Sequence, residues 1–334
     1  MGLATFRGGV HPFEGKDLSM DRAVTVLKPT SGEMVYPLSQ HIGAPAKAIV
    51  KVGDEVLVGQ KIAEAGGFIS AVVVSSVSGK VKKIEPRVTA GGAKSISIVI
   101  ENDGLYTAVE GLGEDRDATK LSKQEIRDIV REAGIVGLGG AGFPTNVKLT
   151  PKDESKIDYV IVNGAECEPY LTCDYRMMIE EPERLVGGLK VMLQLFENAK
   201  AVIGIENNKP KAIEKLRALV KDEPKITVEP LRTKYPQGGE RSLIYAVTGR
   251  EINSSMLPAD AGCVVDNVNT VMAIYDAVCK RTPILERVIT VTGDAVKEPQ
   301  NFKVRTGMNY NDIIEAAGGF VGEPKKILSG GPMM

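Results

Sequence analysis

The hydrophobic pattern changes period along the chain. Between Val35 and Glu85, short β-rich runs alternate with turn signals, and SISIVIE at Ser95–Glu101 adds one more strand-like run. From residue 121 the spacing becomes helical. In LSKQEIRDIVREAG, Ile126, Ile129 and Val130 share one face, Ser122 and Glu125 stand at capping-box spacing, and Gly134 is placed to end the helix. Strand-length apolar runs then alternate with amphipathic ones. IDYVIVNGA (157–165), KAVIGIE (200–206) and KITVEPL (225–231) predict buried strands. ERLVGGLKVMLQLFENA (183–199), with Leu185, Leu189, Met192 and Leu193 inward, and NKPKAIEKLRALVKD (208–222) predict helices. Such alternation gives a mainly parallel sheet covered on both faces, with ligands beyond the strand C-termini, where Asn163–Glu168 falls. After Glu286, two β runs around a turn precede a short helix, the order of a β-grasp module. The first ~30 residues show no such period.

The fold expected is therefore α/β in three parts: a barrel-sandwich β domain over 1–118, a Rossmann-like α/β domain over 119–284, and a β-grasp domain over 285–334. The chain stops at KKILSGGPMM without a capping element, so it is expected to be part of a longer protein.

GIVGLGGAGFPTNVKL (134–149) spells G-x-G-x-x-G through Gly137, Gly139 and Gly142. A dinucleotide finger of the usual plan needs a strand before it, and here a helix precedes it. What remains is a loop without Cβ atoms, able to approach a flat or anionic ligand closely, or a plain connector.

Composition narrows the classes. A net charge of −1 excludes nucleic-acid binding by bulk electrostatics. No apolar run reaches the ~20 residues of a membrane helix, and the N-terminus lacks the plan of a signal peptide. Cys167, Cys173, Cys263 and Cys279 have no C-x-x-C spacing, so no metal site is expected. The two histidines, His11 and His41, make a His-based triad improbable.

VNGAECEPYLTCDYR (162–176) crowds Glu166, Glu168, Asp174 and Arg176 behind a buried strand, where mutual repulsion costs stability unless something is bound. A solvated charged turn is the bland alternative. YPQGGER places Gly238 and Gly239 before an amphipathic helix, and DNVNT puts Asp266, Asn267 and Asn269 at a helix start.

Taken in order, GLGGAGFPTNVKL, VNGAECEP, QGGER and DNVNT resemble the FMN- and NADH-binding core of the complex I flavoprotein subunit. The C-subunit family of Rnf ferredoxin–NAD oxidoreductases is more similar still, since it also accounts for HPFEGK, LSQHIGAPA, AECEPYLTCDYR and ILSGGPMM. VGDEVLVGQKIA with SSVSGKVKKI is similar to the biotinyl/lipoyl half-barrel. Its hairpin, Glu64–Phe68, has no lysine, which implies a structural barrel without a swinging arm.

The resemblance implies an SLBB-type β-grasp and a flavin site. Gly137, Gly139, Gly140 and Gly142 would lie against FMN, with Lys148 as the family's FMN-binding lysine. Asn163, Glu166 and Glu168 would line the flavin and nicotinamide pocket, and Phe143 would be a platform for the NADH rings. Gly239 and Glu240 would match C-G-E-E, and Asn267 and Thr270 the flavin-contacting turn. Leu138, Ala165 and Arg241 depart from the complex I pattern. No catalytic side chain is expected, because the cofactor carries hydride chemistry. The resemblance further implies FMN and NAD as cofactors, with two [4Fe–4S] clusters in full-length members and none in this chain. It implies a peripheral place on the cytoplasmic face of the membrane. Partners would be the membrane subunits of an Na⁺- or H⁺-translocating complex, NADH, and ferredoxin indirectly. A cobalamin reductase of microcompartments and a scaffold without cofactor are the rival readings.

Overall fold

The structure is a computed structural model that describes residues 2–334. Its central sheet has four parallel strands in the order Ile226–Leu231, Lys200–Glu206, Tyr159–Gly164, Cys263–Asn267. Strand alternation divides the core. Val160 and Val162 face the helices Lys123–Glu132, Pro182–Leu195, Pro210–Leu219 and Val268–Lys280, whereas Ile161 faces the helix Glu240–Thr248. Gly188 lets two of these helices touch, since a Cβ there would stand 2.0 Å from the Val271 carbonyl oxygen.

The barrel-sandwich module is two antiparallel sheets. One pairs Glu33–Pro37, Lys94–Asn102, Gly79–Val88 and Glu55–Val56; the other pairs Lys47–Ala48, Lys61–Glu64 and Val73–Val74. Met34, Tyr36, Ile62, Ile98 and Ile100 fill its core. In the C-terminal module Glu286–Val291 runs antiparallel to Gln300–Arg305, and the helix Tyr310–Ala316 follows.

The leading residues depart from the irregular segment expected of them. Thr25–Leu27 pairs in parallel with Phe302–Val304 as the edge strand of the C-terminal sheet. Before it, Ala4 bridges Leu231 and Val10 bridges Tyr235, so the segment is laced across the α/β module. A three-residue, largely exposed edge strand is too short to show a period of two.

Candidate functional site

The site forms where the strand Tyr159–Gly164 ends. Asn163 donates from Nδ2 to the Gly238 carbonyl at 2.7 Å and accepts from the Ala165 N–H. This ties the acidic turn to the QGGER segment. Cys167 Sγ accepts from the Gly238 N–H at 3.3 Å. The turn itself contains no glycine, yet Glu166 and Tyr170 adopt φ of 48° and 68°. Left-handed backbone at such residues is uncommon and is held only by its surroundings.

Two buried ammonium groups hold it from behind. Lys16 donates to the carbonyls of Glu166, Glu168 and Leu171 at 2.9, 2.9 and 2.6 Å. Lys209 donates to the Ala165 carbonyl at 2.7 Å and lies 3.4 Å from Glu206. Burial pushes the Glu206 carboxyl up and the Lys209 ammonium down.

In front, the charges face a cleft of about 1230 Å³. Glu166 accepts from the Asp174 N–H at 2.7 Å through Oε1, while its buried Oε2 has no partner among the described residues. Burial pushes its carboxyl up to about 7. Asp174 accepts from Asn267 and Asn269 at 2.7 and 2.6 Å, and burial raises it as well. A carboxylate oxygen of Glu166, the Cys173 sulfur and a carboxylate oxygen of Asp174 lie within 4.8 Å of one another, and burial raises the Cys173 thiol well above its ordinary value. Glu168 meets the C-terminal segment instead: the Met333 N–H donates to its Oε2 at 3.1 Å, and Tyr235 donates to the Met333 carbonyl.

The glycine loop forms the opposite wall. Gly137 donates to the Phe143 carbonyl at 2.8 Å, and Leu138 donates to Thr270 Oγ1 at 2.9 Å. Gly142, at φ 66°, passes under the barrel, accepting from the Ile42 N–H. A Cβ at Gly139 would lie 2.9 Å from Asn267, so the two segments are in contact. A Cβ at Gly140 would meet nothing within 4 Å. Arg287, from the C-terminal module, donates to the Leu138 carbonyl at 2.7 Å.

Of the residues expected in the site, Gly139, Gly140, Asn163, Glu166, Glu168 and Asn267 line the cleft. Gly137, Gly142 and Thr270 brace the loop from behind. Phe143 is half-buried and does not line the cleft. Gly239 caps the helix that begins at Glu240. Lys148 donates to the Val265 carbonyl and lies 3.4 Å from Asp266 and 3.7 Å from Glu240. Its charge is thus already balanced, and burial pushes Asp266 up to about 6 against the pull of Lys148. Asn267 caps the helix Val268–Lys280 by accepting from the Asn269 N–H. Sequence reasoning put Asp174, Asp266 and Asn269 in suggestive segments without seeing that Asp174 joins the acidic turn to the helix cap. Lys16, Lys209 and Arg287 carried no local signal beyond the place of Lys16 in HPFEGK.

Comparison with known proteins bears on the three-module fold and the family. Three family models match: an RnfC barrel sandwich hybrid domain over residues 4–105, a Nuo51 FMN-binding domain over 130–276, and an SLBB domain over 288–334. The chain is 48% identical over 332 residues to the C-subunit of the proton-translocating ferredoxin:NAD(+) oxidoreductase complex of Clostridium ljungdahlii, covering 99% of this chain and 72% of that protein. It is 46% identical to the C-subunit of the Na(+)-translocating complex of Acetobacterium woodii, covering 99% of this chain and 74% of that one. Among solved structures, an NAD+-reducing [NiFe]-hydrogenase superimposes with a TM-score of 0.53 at 25% identity, over 63% of this chain and 41% of that one. The chain belongs to the family of C subunits of ion-translocating ferredoxin:NAD(+) oxidoreductase complexes.

Proposed function

We propose that this chain binds FMN between the 137–143 glycine loop and the acidic turn, takes NAD(H) beside Glu166 and Glu168, and passes electrons within an ion-translocating ferredoxin:NAD complex. The observation that carries the reading is the cleft itself: Gly139 and Gly140 expose main chain on one side, and Glu166, whose buried Oε2 has no partner among the described residues, lines the other. An orphaned polar atom of this kind is rare in a finished core and is explained by a ligand that supplies a donor. The open space at Gly140 admits a flat group against the loop.

When bound, FMN would supply the hydride and single-electron chemistry, and the protein would supply position and field. Gly137, Gly142 and Thr270 fix the loop. Asn163 and Asn267 present polar edges to the cleft. Lys148 shares its charge with Asp266 and Glu240, so a phosphate would draw on main-chain N–H groups as well. Among the described residues no helix is long and apolar enough to cross a membrane. The family resemblance supports a peripheral subunit on the cytoplasmic face, beside the membrane subunits and linked to ferredoxin indirectly. The family resemblance implies two [4Fe–4S] clusters, and the four cysteines of this chain lack the spacing of a cluster-binding run.

The test is direct. The purified chain, mixed with FMN and desalted, retains about one flavin per chain, and NADH bleaches its visible absorbance under anaerobic conditions. A protein that returns from desalting colourless, with free FMN fluorescence unquenched, does not have this function.

A further inference from the structure

Lys16 is 5% exposed, and each of its three ammonium protons is used on one carbonyl of the acidic turn. Those partners are neutral. Lys209, by contrast, has Glu206 at 3.4 Å. The segment around Lys16 is moulded to the same turn. Tyr170 N–H donates to the Glu14 carbonyl at 2.7 Å, Ser19 and Thr172 hydroxyls lie 2.7 Å apart, and a Cβ at Gly15 would collide with the Tyr170 ring at 2.5 Å.

We propose that Lys16 is a positioning residue for the cleft: by drawing three carbonyls inward it turns Glu166 toward the ligand, and its unpaired positive charge sets the field in which Glu166 works. The geometric half follows from the backbone. Glu166 and Tyr170 hold left-handed conformations that cost free energy locally, and three charge-assisted hydrogen bonds at one point offset that cost. The electrostatic half follows from what surrounds Glu166. The groups facing it are Lys16, Lys209 and Asp174, with Cys173 and Tyr175 beside them and Arg287 facing Asp174. Burial and Asp174 favour the protonated carboxyl, and Lys16 is the strongest influence against them. Without Lys16, Glu166 should hold its proton well past neutrality.

The consequence for dinucleotide binding rests on the function proposed above, but the test separates the two. In the full chain without flavin, carboxyl carbon NMR follows the Glu166 titration, assigned by its loss in Glu166→Gln. Lys16→Met and Lys16→Gln should move the midpoint up by about one pH unit, the lower end of what a neighbouring charge does, while Lys16→Arg stays near wild type. With FMN loaded, the neutral variants should keep flavin occupancy within about twofold and raise the KM for NADH about fivefold, a loss of binding rather than of turnover. An unmoved Glu166 midpoint in both neutral variants overturns the proposal. So does failure of both to fold, which would make Lys16 a folding residue only. If wild type takes no FMN, the function falls while the apo titration still decides the role of Lys16.

Discussion

Two turns of this molecule invite comparison: Glu64–Phe68 in the barrel and residues 166–171 in the α/β module. The barrel turn is built by ordinary local rules. Gly66 is there because its backbone passes so close to Pro45 that a Cβ would stand 1.9 Å from the carbonyl oxygen, and its N–H donates to Ser70. Phe68 at its tip is 84% exposed. The acidic turn breaks those rules. It holds non-glycine residues at positive φ, buries Glu166, and depends on a lysine 150 residues earlier in the chain. Local consistency is what a sequence needs for folding, and violations of it concentrate where a protein works. The first turn has the local consistency of scaffold; the second departs from it in the way our proposal of a ligand site requires.

The sharpest way to break this comparison is at the glycine loop facing the acidic turn. Gly140→Val should reduce FMN stoichiometry to below about a tenth, because a branched side chain enters ligand space directly. The open surroundings of Gly140 leave its fold cost within about 0.5 kcal/mol. Flavin titration and denaturant unfolding of the apo protein, on the same variant, check both halves. Full FMN occupancy would make the loop a connector like the barrel turn.

A smaller effect is expected from the carboxylates. Glu166→Gln or Glu168→Gln should lower NADH-dependent flavin reduction about tenfold while FMN occupancy changes less than twofold, since flavin retention draws on many main-chain contacts. Equal loss of bound FMN would erase the division of roles between the two walls.

Glu166 also has a signature without any ligand. Its folded carboxyl titrates near 7 against an ordinary 4.5, so the folded state binds the proton more tightly than the unfolded one. The resulting stability is complete below about 4.5 and is lost as pH rises through about 7, in total on the order of 3 kcal/mol. Asp266, raised to about 6, loses stability in the same direction. Apo Glu166→Gln should therefore flatten the fall in unfolding free energy between pH 4.5 and 7 while keeping a residual slope from Asp266 and the other carboxyls that burial raises, Asp174 and Glu206 among them. Urea unfolding at a series of pH values reads this, and a wild-type slope in the variant would place the titrating group elsewhere.

Much of this architecture was legible because its elements are long or repetitive. The capping box at Ser122 and Glu125 forms as spaced, and the alternating strands and helices give the parallel sheet. The motifs placed Glu166, Glu168, Asn163 and Asn267 around one cleft. What stayed hidden depends on residues far apart in the chain. Thr25–Leu27 has too few residues to show a period, and its partner strand lies at Phe302–Val304. The grip of Lys16 on the turn joins positions that no local pattern links. The resemblance gave Lys148 as an FMN-binding lysine, and only the return of the Asp266 strand end beside it shows its pairing with Asp266.

The smallest effect is expected at the barrel turn, where the comparison can be sharpened from its other side. Phe68→Ser removes an exposed ring that fills no part of the core, so unfolding free energy should change by less than about 0.5 kcal/mol. FMN affinity should be unchanged within error, because the contact between barrel and glycine loop runs through Ile42 and Gly142 rather than through the hairpin tip. The turn offers no lysine, so the purified chain should also show its unmodified mass of 35.8 kDa, without a biotinyl or lipoyl increment. Gly43→Ala makes the internal contrast. A Cβ there would lie 2.0 Å from the Ile69 carbonyl oxygen at φ 105°, so this change beside the same hairpin should destabilise the barrel by at least about 1 kcal/mol. If instead Phe68→Ser weakened FMN binding several-fold, the hairpin tip would reach the flavin cleft, and the barrel turn would have to be counted with the site.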